Sequence, residues 1–309
     1  MINQDVWDVL IIGGGGSGMT AALYASRANL KTGLFEKLVP GGQIAVTDMV
    51  ENYPGFPEGV LGPDIAMKMQ TQAEKYGTKF FYDEVLSIQK KEDKTFELKT
   101  ASESFFSKTI ILAMGASFRM LNVPMEKELT GKGVSYCATC DGAFFKGKEV
   151  VVVGGGDSAL QEGIFLTRFA TQVTVVHRRD SLRASPILQD RAKTNPKIKF
   201  IWDTVVEKVV GKDKVEGVVL KNLKTQATTD FKTDGLFVFV GHDPNSKLVR
   251  GVVNMNDHGY VLANGEGLQT SVEGIFAAGE IRFGAVKQLV TACGEGCEAA
   301  LSAQAYLEH

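Results

Sequence analysis

Val6-Trp-Asp-Val-Leu-Ile-Ile12-Gly13-Gly-Gly15-Gly16-Ser17-Gly18 and Glu149-Val-Val-Val-Val153-Gly154-Gly-Gly156-Asp157-Ser158-Ala159 are two copies of one plan. Each reads as a buried strand, a glycine-rich turn and the opening of a helix. The first helix is expected over Met19 to Ala28, the second through about Phe169. A second strand follows each helix, Lys31 to Glu36 and Gln172 to His177. From first glycine to strand end is 23 residues both times, 36 − 13 and 177 − 154. An isolated G-x-G-x-x-G says little, but twice in strand–turn–helix–strand context it specifies dinucleotide binding. The first glycine permits the tight turn and the second lets the backbone approach a pyrophosphate. The third position must be small for helix–strand packing, and the helix N-terminus offers N–H groups to the phosphates.

Ile110-Ile-Leu-Ala113-Met-Gly115-Ala116 and Leu236-Phe-Val-Phe-Val-Gly241 each read as a strand running into glycine, and the stretches just beyond them read as linkers. Ile275-Phe-Ala-Ala-Gly279-Glu280 then leads to a helix from about Lys287 to Leu307. The expectation is an α/β protein of two Rossmann-like dinucleotide-binding domains of the three-layer ββα type. The second is inserted within the first, giving segments 1–117, 118–243 and 244–309.

The 309 residues suffice for two domains, and 44% hydrophobic with 23% charged residues is ordinary globular composition. A net charge of -2 favours neither nucleic acid nor an anionic membrane. Apolar runs such as Val150 to Val153 are strand-length, far short of a membrane span. The start, with Asp5 and Asp8, has no basic region or cleavable apolar stretch. Four Cys do not make a disulfide scaffold and point to a reducing cytoplasm with one catalytic pair.

That pair is Cys137-Ala-Thr-Cys140-Asp141, 14 residues ahead of Gly154. Two Cys so spaced can close a small disulfide that stores two electrons, reactive near neutral pH when a thiol pKa is lowered. The strand ends separate the two ligands. Glu36 can accept hydrogen bonds from a ribose diol, as in FAD or NAD, whereas His177-Arg178-Arg179 with Arg183 suits a 2′-phosphate and so NADP. The bland alternative for the second cluster is a solvated basic loop. No metal site is expected. Cys293 and Cys297 lie four apart on a predicted helix, make a poor second pair for zinc and read as buried small residues. His177, His242, His258 and His309 show no ligand spacing, and His242 reads as part of the turn before Pro244.

Cys137-Ala-Thr-Cys140-Asp141-Gly142, Gly42-Gln43, Glu51-Asn52-Tyr-Pro-Gly-Phe-Pro57, His177-Arg-Arg-Asp180, Gly241-His-Asp-Pro-Asn245, Phe276-Ala-Ala-Gly279 and Gln288-Leu289-Val-Thr-Ala292 occur together. On these residues the chain resembles, over nearly its whole length, the low-molecular-weight, bacterial-type thioredoxin reductases. It departs from the usual family residues at Glu280 (Asp is usual), Lys287 (Arg), Met114 (Thr) and Gly16-Ser17 (Pro-Ala).

The resemblance implies a homodimeric flavoprotein with FAD in the discontinuous domain and NADPH in the inserted one. Hydride passes from NADPH to the flavin, then electrons reach the Cys137–Cys140 disulfide, and dithiol exchange reduces thioredoxin. It implies that Cys140 is nearest the flavin, that Cys137 attacks the partner disulfide and that Asp141 is the general acid. A turn or N-cap role for Asp141 stays open on the residues alone. Implied FAD contacts are the first fingerprint, Glu36, Lys37, Gly42, Gln43, Asn52, Val85, Ala113, Gly115, Gly279, Glu280, Lys287, Gln288 and Leu289. Implied NADPH contacts are Gly154, Gly156, Asp157, Ser158, Ala159, Glu162, the His177–Arg183 cluster and Gly241. A related reductase serving a peroxiredoxin or another thiol protein is the alternative. A non-catalytic nucleotide-sensing module would need no dithiol between its two sites. Reaching the one flavin in turn would require the inserted domain to rotate about Ala116–Asn122 and Gly241–Asn245.

Overall fold

The computed structural model describes residues 6–47, 49–50, 52–263 and 266–308, so Asp5, Glu51 and His309 lie outside the described residues. The described α-helices are α1 (Gly16–Arg27), α2 (Gly62–Lys75), α3 (Ala138–Asp141), α4 (Asp157–Leu166), α5 (Pro186–Thr194) and α6 (Leu289–Glu308). The chain divides into two compact units, one of Met1–Ser117 with Asp243–His309, the other of Phe118–His242.

The first unit is built on the strand Val6–Ile12, whose Val9, Leu10 and Ile11 are wholly buried, as a strand covered on both faces requires. Thr32–Phe35 and Ser104–Leu112 flank it in parallel. Ile275–Ala277 then pairs parallel with Ser104–Leu112, Ile275 opposite Ile110, so the C-terminal segment completes the N-terminal sheet. Lys79–Phe81 lies beyond Thr32–Phe35, and the antiparallel hairpin of Ser87–Lys90 and Phe96–Lys99 extends the other side. Small residues let α1 and α6 approach closely: Ala21, Ala22 and Ala25 share a core with Ala299, Ala300 and Ala303. A Cβ at Gly296 would run into the backbone of Ser17. Each fully buried Ile or Leu in these clusters contributes about 1.5–3 kcal/mol relative to exposure.

The second unit centres on Glu149–Val153, between the parallel strands Gln172–Val176 and Gly235–Val238. Ile198–Ile201 and Val134–Ser135 close the two ends of this sheet. One face packs on helices through Val150, Val152, Leu160 and Leu166. The other packs through Val151, Val153 and Leu236 on Val206, Val209 and Val218 of an antiparallel meander, Thr204–Gly211, Val215–Asn222 and Thr228–Lys232. This makes three layers of the ββα type.

Two local expectations need correction. Helix α4 ends at Leu166, short of Phe169. The Thr167, Arg168 and Phe169 N–H groups bond the carbonyls three residues back, and the Phe169 carbonyl accepts the Gly147 N–H, so the four-residue ladder of the helix is not continued. The stretches read as linkers contain the short strands Ala116–Phe118 and His242–Pro244, which pair as a ribbon. Gly115 (φ 63°) and Gly241 (φ 118°) turn the chain into them. His242 is therefore in a strand rather than a turn, its ring 4.9 Å from that of Phe118.

Candidate active site

In the second unit the strand Val134–Ser135 delivers the chain to Cys137, which caps the one-turn helix α3. Cys137 and Cys140 form a disulfide, and Cys137 Sγ accepts the Cys140 N–H at 3.1 Å. Ala138 between them is fully buried in the core shared with α4, while both cysteines are half-buried. The turn is thus anchored from beneath with its sulfurs near the surface. A thiolate on Cys137 would be stabilised by that N–H, which favours nucleophilic sulfur.

Asp141 ends α3 and is held by a residue that sequence reasoning missed. Ser135 Oγ lies 2.6 Å from Asp141 Oδ2, accepts the Cys137 N–H at 3.1 Å and lies 3.2 Å from the Cys137 carbonyl. The available signal was a serine two residues ahead of the turn, where hydroxyls commonly bond local backbone. Tyr136 is fixed by its hydroxyl donating to Glu126 Oε1 at 3.0 Å. Burial, then the Glu126 charge, pushes that hydroxyl well above the usual tyrosine range. Glu126 is 1% exposed and also accepts the Leu121 and Asn122 N–H groups at 2.9 and 2.7 Å.

The carboxyl edge of the same unit's parallel sheet assembles the basic cluster. Gly154 (φ 155°) makes the turn, and a side chain there would meet the Phe239 carbonyl. The Gly155 carbonyl accepts the Arg183 and Ala184 N–H groups at 2.8 and 3.2 Å, which brings Arg183 to the loop. The His177 ring packs where a Gly155 side chain would stand; it is 6% exposed and its Nε2 has no hydrogen-bond partner. Burial, with Arg183 and Arg178 nearby, pushes its pKa below the usual histidine value. Arg178, Arg179 and Arg183 are exposed and make no ion pair among the described residues. Lys224 takes the neighbouring acids instead, Asp203 at 2.9 Å and Asp180 at 3.5 Å. Asp157 is turned aside as well, accepting the Ser185 N–H at 2.5 Å. Ser158 is exposed in the first turn of α4, Ala159 is buried under the loop, and Glu162 follows on the same helix.

The first unit repeats the arrangement. Gly13 (φ 107°) donates its N–H to Phe35, and a side chain at Gly18 would land on the Gly13 carbonyl. Both Glu36 oxygens hold backbone, Oε2 from Gly14 at 2.8 Å and Oε1 from Leu38 at 2.9 Å. Gly41 N–H donates to the Gly14 carbonyl at 2.7 Å, setting Gly42 beside Gly15. Gln43 Nε2 donates to the Ala116 carbonyl at 2.6 Å and to Glu280 Oε2 at 3.3 Å. Burial pushes the Glu280 carboxyl above the ordinary carboxylate range, against the opposing pull of Gln43 and Lys287. The Gly279 N–H donates to Glu295 Oε2 at 2.7 Å, and Arg282 Nη2 donates to Glu295 Oε1 at 2.6 Å. Asn52 Nδ2 donates to Gln288 Oε1 at 3.0 Å. Leu289 opens α6 and, with Cys293, fills the space beside Gly16.

The sequence pattern of the pyridine nucleotide-disulphide oxidoreductase family matches residues 7–296. The chain is 50% identical to the thioredoxin reductase of Bacillus subtilis, covering 100% of this chain and 97% of that protein. It is 47% identical to the thioredoxin reductase of Listeria monocytogenes, covering 99% and 95%. The solved thioredoxin reductase of Streptococcus pyogenes is 46% identical and superposes with a TM-score of 0.94 over 98% of both chains. The chain belongs to the thioredoxin reductases.

As a member of the thioredoxin reductases it is a flavoprotein oxidoreductase that uses FAD and NADPH. Both cradles fit such groups. Among the described residues, apart from the adjoining chain, nothing lies within 4 Å of where a Cβ of Gly15 or of Gly156 would stand. No side chain caps α1 or α4, which leaves each first turn to a phosphate. In the second cradle the partnerless His177 Nε2 and three unpaired guanidinium groups suit an additional phosphate. The structure gathers residues 13–18, Glu36, Gly42, Gln43, Gly279 and Glu280 within the first unit, and 154–159 with His177 and Arg183 within the second. Others stand apart. Lys37 pairs at the surface with Glu84 at 3.2 Å, Val85 is buried in the core with Phe35, and Gly241 lies against Arg119 on the ribbon. Ala113, by contrast, belongs to the first cradle: its N–H bonds the Ile12 carbonyl, and its own carbonyl lies where a Gly13 side chain would stand. Among the described residues, no three His, Cys, Asp or Glu side chains converge as a metal site, and no helix is long and apolar enough to cross a membrane.

Proposed function

We propose that this enzyme catalyses the NADPH-dependent reduction of the disulfide of thioredoxin. The observation that carries the reading is the half-buried Cys137–Cys140 disulfide, with a thiolate-stabilising N–H and the Asp141 carboxyl beside it, in a chain with two dinucleotide cradles. FAD, when held by the first unit, would supply two-electron hydride chemistry between NADPH and the disulfide. Residues 13–18, Glu36, Gly42, Gln43, Asn52, Gly279, Glu280 and Gln288 hold it, and residues 154–159 with His177, Arg178, Arg179 and Arg183 hold NADPH. Cys140 receives the electron pair as its bond to Cys137 breaks. Cys137 thiolate then attacks the partner disulfide, and Asp141 gives a proton to the sulfur that departs. Cys140 attacks the resulting mixed disulfide, which restores Cys137–Cys140 and frees the reduced partner.

The same reading includes rotation of the inserted unit about Ala116–Asn122 and Gly241–Asn245, because the chain passes between units there and hinges absorb such changes at a few residues. It also includes a homodimer, for which exposed Tyr24, Leu61 and Met67 offer apolar surface on the first unit, and a reducing cytoplasm, where Cys293 and Cys297 stay free. Purified protein with FAD, NADPH and oxidised thioredoxin should release free thiols at the rate NADPH is consumed. NADPH consumption without thiol release, or faster turnover with an oxidised peroxiredoxin, would overturn the substrate reading.

A further inference from the structure

We propose that Ser135 is a positioning residue that holds Asp141 in both its ionised and its protonated form. This rests on reading Asp141 as the proton donor. A serine hydroxyl has one hydrogen to give and two lone pairs to receive. Ser135 Oγ spends one lone pair on the Cys137 N–H at 3.1 Å, and a purely structural serine would need only one acceptor besides, for its hydrogen. Its other two neighbours are both acceptors, Asp141 Oδ2 at 2.6 Å and the Cys137 carbonyl at 3.2 Å. One hydrogen cannot serve both.

The protonation state of Asp141 decides between them. When Asp141 is a carboxylate, the hydroxyl hydrogen points to Oδ2, because a charge-assisted bond is the stronger one. When Asp141 carries its proton, that proton points to the second lone pair of Oγ, and the hydroxyl hydrogen turns to the Cys137 carbonyl. Every hydrogen has an acceptor in both states, and no heavy atom has to move. Ser135 is 4% exposed, so water does not readily replace it.

The proton balance follows. Cys137 thiolate attacks the partner disulfide, one S–S bond forms, another breaks, and the leaving sulfur departs with the electron pair. Asp141 gives its proton to that sulfur and becomes a carboxylate, and the Ser135 hydrogen swings from the Cys137 carbonyl to Oδ2. The residue thereby keeps the carboxyl aimed while its charge changes.

The test compares Ser135→Ala, Ser135→Thr and Asp141→Asn in the FAD-loaded enzyme, in two half-reactions. Flavin reduction by NADPH, followed at its absorbance, should be unchanged in all three. General acid catalysis is worth about 10²–10⁴ in rate. Asp141→Asn should therefore slow thioredoxin reduction by about 100-fold or more, and Ser135→Ala, which misaims the acid, by about 10-fold. The optimum of the thioredoxin step should move to higher pH in Ser135→Ala, because the carboxylate loses a donor. Ser135→Thr keeps the hydroxyl and should restore both rate and profile. A normal thioredoxin step in Ser135→Ala, beside a slow Asp141→Asn, would overturn the proposal while leaving the general acid in place. A normal rate in Asp141→Asn would instead remove the reading of Asp141 itself. Equal losses in both half-reactions that Ser135→Thr does not restore would mark a structural serine, and the proposal would be wrong.

Discussion

Replacing Arg178 and Arg179 together by Gln should remove most of the preference for NADPH over NADH. Neither guanidinium makes an ion pair among the described residues, so their loss strands no carboxylate and should not disturb folding. Each charge-assisted bond to a phosphate is worth about 1.5–3 kcal/mol, and exposure with salt screening favours the lower end. Two such bonds give about 3 kcal/mol, and at 1.4 kcal/mol per decade kcat/KM for NADPH should fall roughly 150-fold. NADH has no 2′-phosphate, so its kcat/KM should stay within about twofold of the parent. Some preference should survive, since Arg183 remains tied through its N–H to the Gly155 carbonyl at 2.8 Å. The assay is steady-state turnover with each coenzyme at fixed thioredoxin, repeated at low and high ionic strength. Arginines that serve only as a solvated loop would give a loss under about threefold with NADPH, or an equal loss with NADH. Either result would refute the argument.

Three further outcomes are expected. Lys224→Ala frees Asp180 and Asp203 to neutralise the arginines, so KM for NADPH should rise about threefold with kcat unchanged, and Lys224→Arg should restore it. Glu295→Gln leaves Arg282, 16% exposed, without its charge partner. Losing one member of a buried pair costs about 3–5 kcal/mol, which calorimetry should register as a lower Tm, and FAD should be released more readily on dilution. Burial holds Glu280 above its ordinary value of 4.5, so just above that pH the folded FAD-free protein binds more protons than the unfolded chain. Its stability therefore falls as pH rises through that window, and Glu280→Gln should flatten the fall in denaturant titrations.

The sequence exposed whatever repeats at short range. Both fingerprints were legible because each needs a continuous apolar strand, then Gly13 or Gly154 at positive φ, then a small residue under the turn. The end of α4 was not, because Phe169 is diverted by a bond from Gly147, 22 residues away (169 − 147). Nor was the ribbon legible, since three-residue strands such as Ala116–Phe118 show no periodicity. Cys137, Cys140 and Asp141 announce their chemistry by type and spacing. Ser135, Lys224 and Glu295 do not, for their roles come from partners such as Asp180 and Gly279 that folding brings to them. Glu36 was singled out for its carboxylate, yet its grip on Gly14 N–H became visible only with the loop in place.

The most direct test of the electron path is an anaerobic NADPH titration of the FAD-loaded protein, followed by flavin absorbance and thiol count. With a redox-active disulfide behind the flavin, about two equivalents of NADPH per FAD should be consumed, and thiols should appear at Cys137 and Cys140. Cys137→Ser and Cys140→Ser should stay yellow, accept about one equivalent and fail to reduce thioredoxin. Uptake of one equivalent by the unsubstituted enzyme, or normal thioredoxin reduction by either serine variant, would contradict the account.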